Sequence, residues 1–105
     1  MTRLLWLDCS AGASGDMLLG ALLDAGAPLE AVTAAVDALL PGSVTVTVSR
    51  TARHGIGAAR AEVTVSTDPQ PHRTWRDVRD LLAAATLPAA VRALAGEAFA
   101  RLAAA

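Results

Sequence analysis

Hydrophobic and polar positions change their spacing several times along the chain, and each change predicts an element. Residues 3–8 (RLLWLD) form a continuous apolar run that ends on Asp8, which predicts a strand buried on both faces. From Asp16 the spacing becomes helical, and Gly26 can end that helix in a left-handed conformation. The chain therefore opens with a strand, a short loop and a helix.

The middle of the chain changes from a helical to an alternating pattern. Pro28 suits the first turn of a second helix, which Pro41 and Gly42 end. Residues 43–50 (SVTVTVSR) then alternate, with valines on one face and small polar residues on the other as far as Ser49, and a similar alternation returns at residues 59–66. These two strands are expected to pair as an antiparallel hairpin through a connection at residues 51–57.

The last third of the chain predicts two more helices after a polar linker at residues 67–73. Thr74 and Asp77 form the pattern of a capping box, and Pro88 begins a helix with an apolar stripe. We expect an α+β fold in which about four helices pack on a small sheet, made of the buried N-terminal strand plus the antiparallel hairpin. Residues 1–105 are expected to form a single domain.

Composition excludes several classes of function. The net charge is −1 and aromatic residues make up 3% of the chain, so neither a basic surface nor stacking platforms favour nucleic-acid binding. All nine basic residues are arginine, which excludes a P-loop lysine. The apolar run near the N-terminus is too short for a membrane span. A single cysteine, Cys9, allows no internal disulfide, and we expect a cytoplasmic protein.

The loop from Asp8 to Asp16 is the first candidate site. A strand, a loop containing Gly12 and Gly15, and a helix would place free amides at a helix N-terminus, where anions bind. Asp8 and Asp16 flank this loop and could converge on a divalent cation. The alternative is that Asp16 or Ser14 only caps the helix.

Cysteine and histidine supply few further metal ligands. Cys9 could be a metal ligand or a nucleophile because it borders a helix N-terminus, but a packing role stays open. His54 and His72 are the only histidines, too few for a zinc site of recognised spacing.

A basic group surrounds the predicted hairpin connection. Arg50, Arg53, His54 and Arg60 follow one another without an intervening acid. Arg53 and Arg60 are the better candidates for donating paired hydrogen bonds to a phosphate or carboxylate. The alternative is a solvated turn.

Three segments resemble the LarC family of nickel insertion proteins. LDCSAGASGDMLLGALLDAG is similar to the family's opening Asp-Cys-Phe-Ser-Gly-Ile-Ser-Gly-Asp-Met, with Ser10 in place of phenylalanine and Ala11 in place of serine. HGIGAARAEV and PHRTWRDVRDLL resemble later segments of the family in the same order. The opening pattern is matched by Asp8, Cys9, Gly12, Ser14, Gly15, Asp16 and Met17.

The resemblance implies a CTP-dependent nickel chelatase of the lyase class. Such proteins insert nickel into pyridinium-3,5-bisthiocarboxylic acid mononucleotide, forming Ni–S and Ni–C bonds, with CTP and magnesium or manganese as cofactors. On this reading Asp8 and Asp16 are catalytic, and Asp8, Cys9, Asp16 and His72 contact the metal. The nucleotide-like substrate would be bound by Gly12, Ser14, Gly15, Arg53 and Arg60.

Two departures from the family affect this expectation. The linker keeps only His72 where members often have a histidine-rich tract, and family chains continue well beyond this length. We therefore expect the N-terminal domain, or a truncated or split form, of a longer protein, incomplete on its own and associated with a C-terminal partner chain or with further copies of itself. The alternative function is a non-catalytic scaffold or oligomerisation domain.

Overall fold

The computed structural model describes residues 2–66 and 72–105, and part of the predicted linker, residues 67–71, lies outside them. The elements, in chain order, are α1 (Gly15–Asp24), α2 (Leu29–Leu39), β1 (Val44–Arg53), β2 (Ile56–Val65), α3 (Trp75–Ala84) and α4 (Ala89–Ala104). Four helices and a two-stranded antiparallel sheet confirm the predicted α+β class. None of the helices in this described part is long and apolar enough to cross a membrane.

The hairpin is longer than its alternating pattern predicted, and its connection is shorter. Only His54 and Gly55 lie between the strands, both with positive φ angles of 52° and 77°. Two consecutive residues with positive φ are typical of a type I′ turn, whose twist matches that of the flanking strands. The Ser66 amide also donates to the Ser43 carbonyl, which keeps the same register at the open end.

The chain divides into two compact units, and each contains half of the hairpin. The first unit consists of Met1–Ala27 and Thr47–Glu62, and the second of Pro28–Val46 and Val63–Ala105. The first unit thus holds α1 and the turn half of the hairpin. The second holds the open half with α2, α3 and α4.

The prediction of a buried N-terminal strand is wrong. Residues 2–9 form neither strand nor helix, and Leu4 and Trp6 expose 92% and 79% of their surface. The hairpin register turns the Ala59 carbonyl and the Ala61 amide away from β1, and Gly20 of α1 lies against both groups. At Gly20, α1 thus packs against this side of β2, and the apolar run pairs with neither strand of the described hairpin.

In the first unit, α1 ends as its sequence predicted. Gly26 has φ of +114°, and the amides of Gly26 and Ala27 donate to the carbonyls of Leu23 and Leu22. A residue in the left-handed region lets the chain reverse and satisfies carbonyls that the helix leaves unpaired. The next residue, Pro28, is the N-cap of α2. Proline fits this position because no helical hydrogen bond from its nitrogen is required there.

In the second unit, an apolar cluster lies where α3 meets α4. Leu82, Ala85 and Leu87 are buried, and partly buried side chains from three helices pack around them: Ala35, Ala38, Leu39, Val78 and Ala95. The predicted capping box is present, with the Thr74 hydroxyl accepting from the Asp77 amide at 3.2 Å and the Asp77 carboxylate accepting from the Thr74 amide at 2.9 Å. At the other end of α3, the Arg92 guanidinium donates to the carbonyls of Leu82 and Ala85.

Candidate functional site

A cleft lies within the first unit, between α1 and the turn half of the hairpin. Its volume is about 620 Å³. Two aspartates of α1 and two arginines of the hairpin supply its charged groups: Asp16, Asp24, Arg53 and Arg60. Uncharged side chains and glycine form the rest of the lining: Met17, Gly20, Ala21, Thr51, Ala58, Ala59 and Ala61.

The floor of this cleft is a close approach between backbones. A Cβ atom at Gly20 would lie 2.9 Å from the Ala59 carbonyl oxygen and 3.5 Å from the Ala61 amide nitrogen. A real side chain does not reach so short a distance without displacing a neighbour. Glycine therefore lets α1 approach β2 closely, and the alanines of β2 keep the floor free of bulk.

Asp16 is held at the start of α1 by local hydrogen bonds. Its Oδ1 atom accepts from the Ser14 hydroxyl and, at 3.1 Å, from the Met17 amide. The Ser14 hydroxyl, the Met17 amide and the nearby Arg60 guanidinium lower the pKa of Asp16 below its ordinary value. Asp16 is thus ionised at neutral pH, close to a cationic side chain and exposed at the cleft.

The arginines of the hairpin differ in how far acids neutralise them. Arg50 forms an ion pair with Asp24, which ties the end of α1 to β1. Arg60 has a longer contact of 3.5 Å with Glu62. Among the described residues, Arg53 has neither an ion pair nor a hydrogen bond from its side chain. Arg53 and then Arg60 therefore keep the most capacity to bind an anionic ligand.

The two predicted carboxylates do not line the same hollow. Asp8 lines a neighbouring hollow of about 270 Å³ with Cys9 and Gly12, and this hollow shares Met17 and Ala21 with the cleft. The Asp8 carboxylate accepts from the Ser10 amide at 3.0 Å, and hydrogen bonds from the Ser10 side chain and amide lower its pKa. Asp8 and Asp16 thus line neighbouring hollows, and their convergence on one cation stays a prediction.

The opening loop is a turn closed by its own backbone. The Gly12 amide donates to the Cys9 carbonyl at 2.9 Å, so it is not free to bind an anion. Ser14 occupies the cap position of α1, but its side chain accepts no amide hydrogen bond and donates to Asp16 instead. Gly15 is the first residue of α1. The loop thus holds the Asp16 carboxylate through Ser14, and its Gly12 amide is not available to an anion.

The predicted metal contacts are not gathered into one metal-binding group. Within residues 2–66 and 72–105, no three histidine, cysteine, aspartate or glutamate side chains are placed to hold a metal ion. Cys9 is exposed in the first unit. His72 belongs to the second unit, where it lines a hollow with Arg73, Asp77 and Asp80.

A family profile described as nickel insertion protein matches residues 5–105, almost the whole chain. The chain belongs to the nickel insertion protein family. This confirms the resemblance found in the sequence.

Named relatives share this family. The chain is 58% identical over 98 residues to the pyridinium-3,5-bisthiocarboxylic acid mononucleotide nickel insertion protein of a Nocardioides species, covering 93% of this chain and 25% of that protein. Provisionally named nickel insertion proteins of Geobacter metallireducens and a Synechococcus species are 45% and 41% identical, each over 96% of this chain and 26% of the relative. The chain thus spans about a quarter of their length. No solved structure matches it.

The sequence of this member of the nickel insertion protein family did not identify two of the residues that line the cleft. Gly20 and Asp24 line the cleft together with Asp16. Their spacing carried the signal, since residues four and eight positions after Asp16 lie on the same face of a helix. A glycine between two aspartates on one helix face indicates that another element packs closely against the helix at the glycine. The two carboxylates then lie on either side of this contact.

Proposed function

We propose that this chain is the N-terminal domain of a protein that inserts nickel into pyridinium-3,5-bisthiocarboxylic acid mononucleotide. The observation that carries the proposal is the 58% identity to the Nocardioides nickel insertion protein, which extends over 93% of the chain. The opening motif with Asp8, Cys9 and Asp16 lies inside the matched residues 5–105. Nickel and the mononucleotide are both substrates in this reaction.

The reaction would also use CTP with magnesium or manganese. We assign these cofactors to the three quarters of the relatives that this chain does not span. The described residues offer no lysine and no free glycine-rich loop for a triphosphate, since the Gly12 amide is already bonded to Cys9. We place the reaction in the cytoplasm, where CTP is available.

The site residues have separate roles in this proposal. Arg53 and Arg60 bind the anionic groups of the substrate, and Asp16 lies beside them at the start of α1. Cys9, the softest ligand of the chain, contacts nickel in transit, with Asp8 next to it in the same hollow. Transit suits the described residues better than storage, because they hold no group of three metal ligands.

A domain-replacement chimera tests the proposal. The matching segment of the Nocardioides protein is exchanged for this chain, and the chimera is incubated with nickel, CTP, magnesium and the mononucleotide. Mass spectrometry of the product then measures nickel insertion. We expect the chimera to form the nickel-containing mononucleotide; a folded chimera that forms none would overturn the proposal.

Paired variants in the chimera separate a site from a scaffold. Asp16→Asn removes the charge at the cleft, whereas Asp37→Asn removes an exposed charge of α2 that makes no ion pair in the described part of the chain. We expect the first variant to lose most of the activity and the second to keep it. Equal activity of the two variants would remove Asp16 from the site.

A second candidate function is assembly, which the surface of α4 favours. Leu94 and Leu102 of this helix expose 73% and 71% of their surface, and Val91 and Phe99 are also exposed. Exposed apolar side chains on one helix are typical of an association surface. Light scattering of the chain and of Leu94→Glu measures this: self-association that the substitution abolishes supports a scaffold, and a monomeric chain opposes it.

A further inference from the structure

The centre of the apolar run, residues 4–7, is uncovered in the first unit. Leu4 and Trp6 are largely exposed, and Leu5 and Leu7 expose 62% and 50% of their surface. Successive side chains of an extended chain point to opposite sides. In an extended conformation this segment would therefore present apolar side chains on both of its faces.

The main chain of this segment is unpaired as well. Residues 4–7 make no backbone hydrogen bond within the described part of the chain, where the first such bond joins the Gly12 amide to the Cys9 carbonyl. A buried amide or carbonyl group costs stability unless it is paired. An element that covers the segment must therefore supply hydrogen-bond partners for its main chain as well as apolar contacts for its side chains.

The edge of a β-sheet meets both requirements. Arg3 and Asp8 bound the segment, so a helix here would have only about one turn, too short to pair its own main chain. The hydrogen-bond partners must then come from another element, and an open strand edge presents a row of free donors and acceptors. Apolar side chains on both faces are typical of a strand with a layer packed on each side.

The length of the relatives indicates where this sheet edge comes from. The family match includes the run from residue 5, but the chain spans 25% of the Nocardioides protein, so about three quarters of that protein lie outside the match. A segment of the same polypeptide has a high effective concentration. A second copy of this chain would offer the same run, and two paired runs would still expose both faces.

We propose that, in the longer proteins of this family, the segment at residues 4–7 pairs as a strand with a sheet edge from the part outside the match. Met17 and Leu18 of α1 line a hollow together with Leu7, so α1 supplies part of one covering layer. The chain alone forms no such strand because it lacks that edge. The inference uses membership of the family and is independent of nickel insertion.

Amide hydrogen exchange, followed by mass spectrometry, tests the pairing in the isolated chain, the chimera and the unaltered Nocardioides protein. We expect the amides of residues 4–7 to exchange about a hundredfold or more slowly in the chimera than in the isolated chain, as paired amides do. The matching segment of the Nocardioides protein should be equally slow. Fast exchange of this segment in a folded chimera would overturn the proposal.

The internal control is α3, whose amides should exchange slowly in all three proteins because Leu82 is buried. If α3 shows that the chimera is unfolded, the Nocardioides protein decides. Fast exchange of its matching segment would then overturn the proposal, and slow exchange would support it.

Two substitutions test the two faces of the strand. Leu5→Ser and Trp6→Ser each place a polar side chain on one face, and each should speed exchange of the segment in the chimera about tenfold or more. Neither should change the thermal midpoint of the isolated chain, where both side chains are exposed. The matched control is Thr2→Ala, outside the family match. A chimera that tolerates either serine would overturn the two covered faces.

Concentration separates a second copy from the longer protein. Exchange of residues 4–7 that slows as the isolated chain is concentrated would assign the segment to a second copy and overturn the proposal. Fast exchange at every concentration, together with slow exchange in the chimera, would support it. An active chimera whose segment exchanges fast would overturn this inference and leave nickel insertion standing.

Discussion

The two units of this chain use different means to hold their elements together. The second unit buries Leu82, Ala85 and Leu87 beneath side chains of three helices and caps both ends of α3. In the first unit, Gly20 and Ala61 are the described residues that are buried, and α1 is held by a backbone approach and the exposed Asp24–Arg50 ion pair. Apolar burial stabilises the second unit, and close backbone contact shapes the first.

This difference separates the residues that stabilise the fold from the residues that are free to bind a ligand. Burial of apolar side chains is the larger stabilising term, while exposed ion pairs contribute little. A unit with few buried side chains can keep charged groups open around a cleft, as the first unit does with Asp16, Arg53 and Arg60. Substitutions of buried residues in the second unit should therefore affect folding, and those of the charged cleft residues Asp16, Arg53 and Arg60 should affect binding.

The largest expected effect is in the apolar cluster. Leu82→Ala removes a side chain that is only 5% exposed, and we expect the free energy of unfolding to fall by about 2–5 kcal/mol. Leu94→Ala, at an exposed position of α4, should change it by less than about 0.5 kcal/mol. Denaturant unfolding measures both values. Similar losses for the two leucines would break the contrast between cluster and surface.

The next effect concerns the close approach in the first unit. Gly20→Ala places a Cβ atom against the Ala59 carbonyl, so we expect a loss of about 1–3 kcal/mol in the free energy of unfolding. Gly96→Ala in α4 meets no atom within 4 Å and should instead stabilise by up to about 1 kcal/mol. Thermal unfolding would show the opposite signs, and a stabilising Gly20→Ala would contradict the contact.

A smaller effect compares the caps of two helices. Thr74→Ala removes a hydroxyl that accepts the Asp77 amide, which should cost about 1 kcal/mol. Ser14→Ala removes a hydroxyl that accepts no amide of α1, so its cost should be clearly smaller. Chemical denaturation measures the free energy of unfolding of both variants. A larger loss for Ser14→Ala than for Thr74→Ala would contradict this prediction.

The smallest effect is on the pH dependence of stability. Hydrogen bonds from Thr74 lower the pKa of Asp77 below 3.8, so its ionised form is favoured in the folded state. Its contribution is fully present above the ordinary pKa and is lost as the pH falls through the lowered value. Asp77→Asn should remove this part of the acid-induced loss. Unfolding midpoints between pH 5 and pH 2 that fall in parallel for both proteins would contradict it.

Local signals predicted much of the fold. The hairpin, the left-handed residue at Gly26 and the capping box of Thr74 depend on neighbours in sequence, and all three are present. The N-terminal strand was wrong because an apolar run indicates burial without saying which partner supplies it. The partner would have been a strand of the hairpin, but the sheet of the described residues contains β1 and β2 alone, and α1 packs against β2 at Gly20.

The candidate site was predictable in part. Asp16, Arg53 and Arg60 were singled out separately, and the structure brings them to one cleft. Their meeting depends on the packing of α1 against β2, which no local pattern encodes. Asp8 was expected to converge with Asp16 because the strand before it was expected in the sheet. Without that strand, Asp8 lies in the neighbouring hollow that shares Met17 and Ala21 with the cleft.

Gly20 has a consequence for how this cleft can diversify. The Ala59 carbonyl lies where a side chain at position 20 would begin, so this position cannot gain bulk without displacing β2. Variation in ligand size must instead come from residues at the rim or from alanines such as Ala58, where added bulk would shorten the cavity. Other positions of the lining can thus vary while position 20 stays glycine.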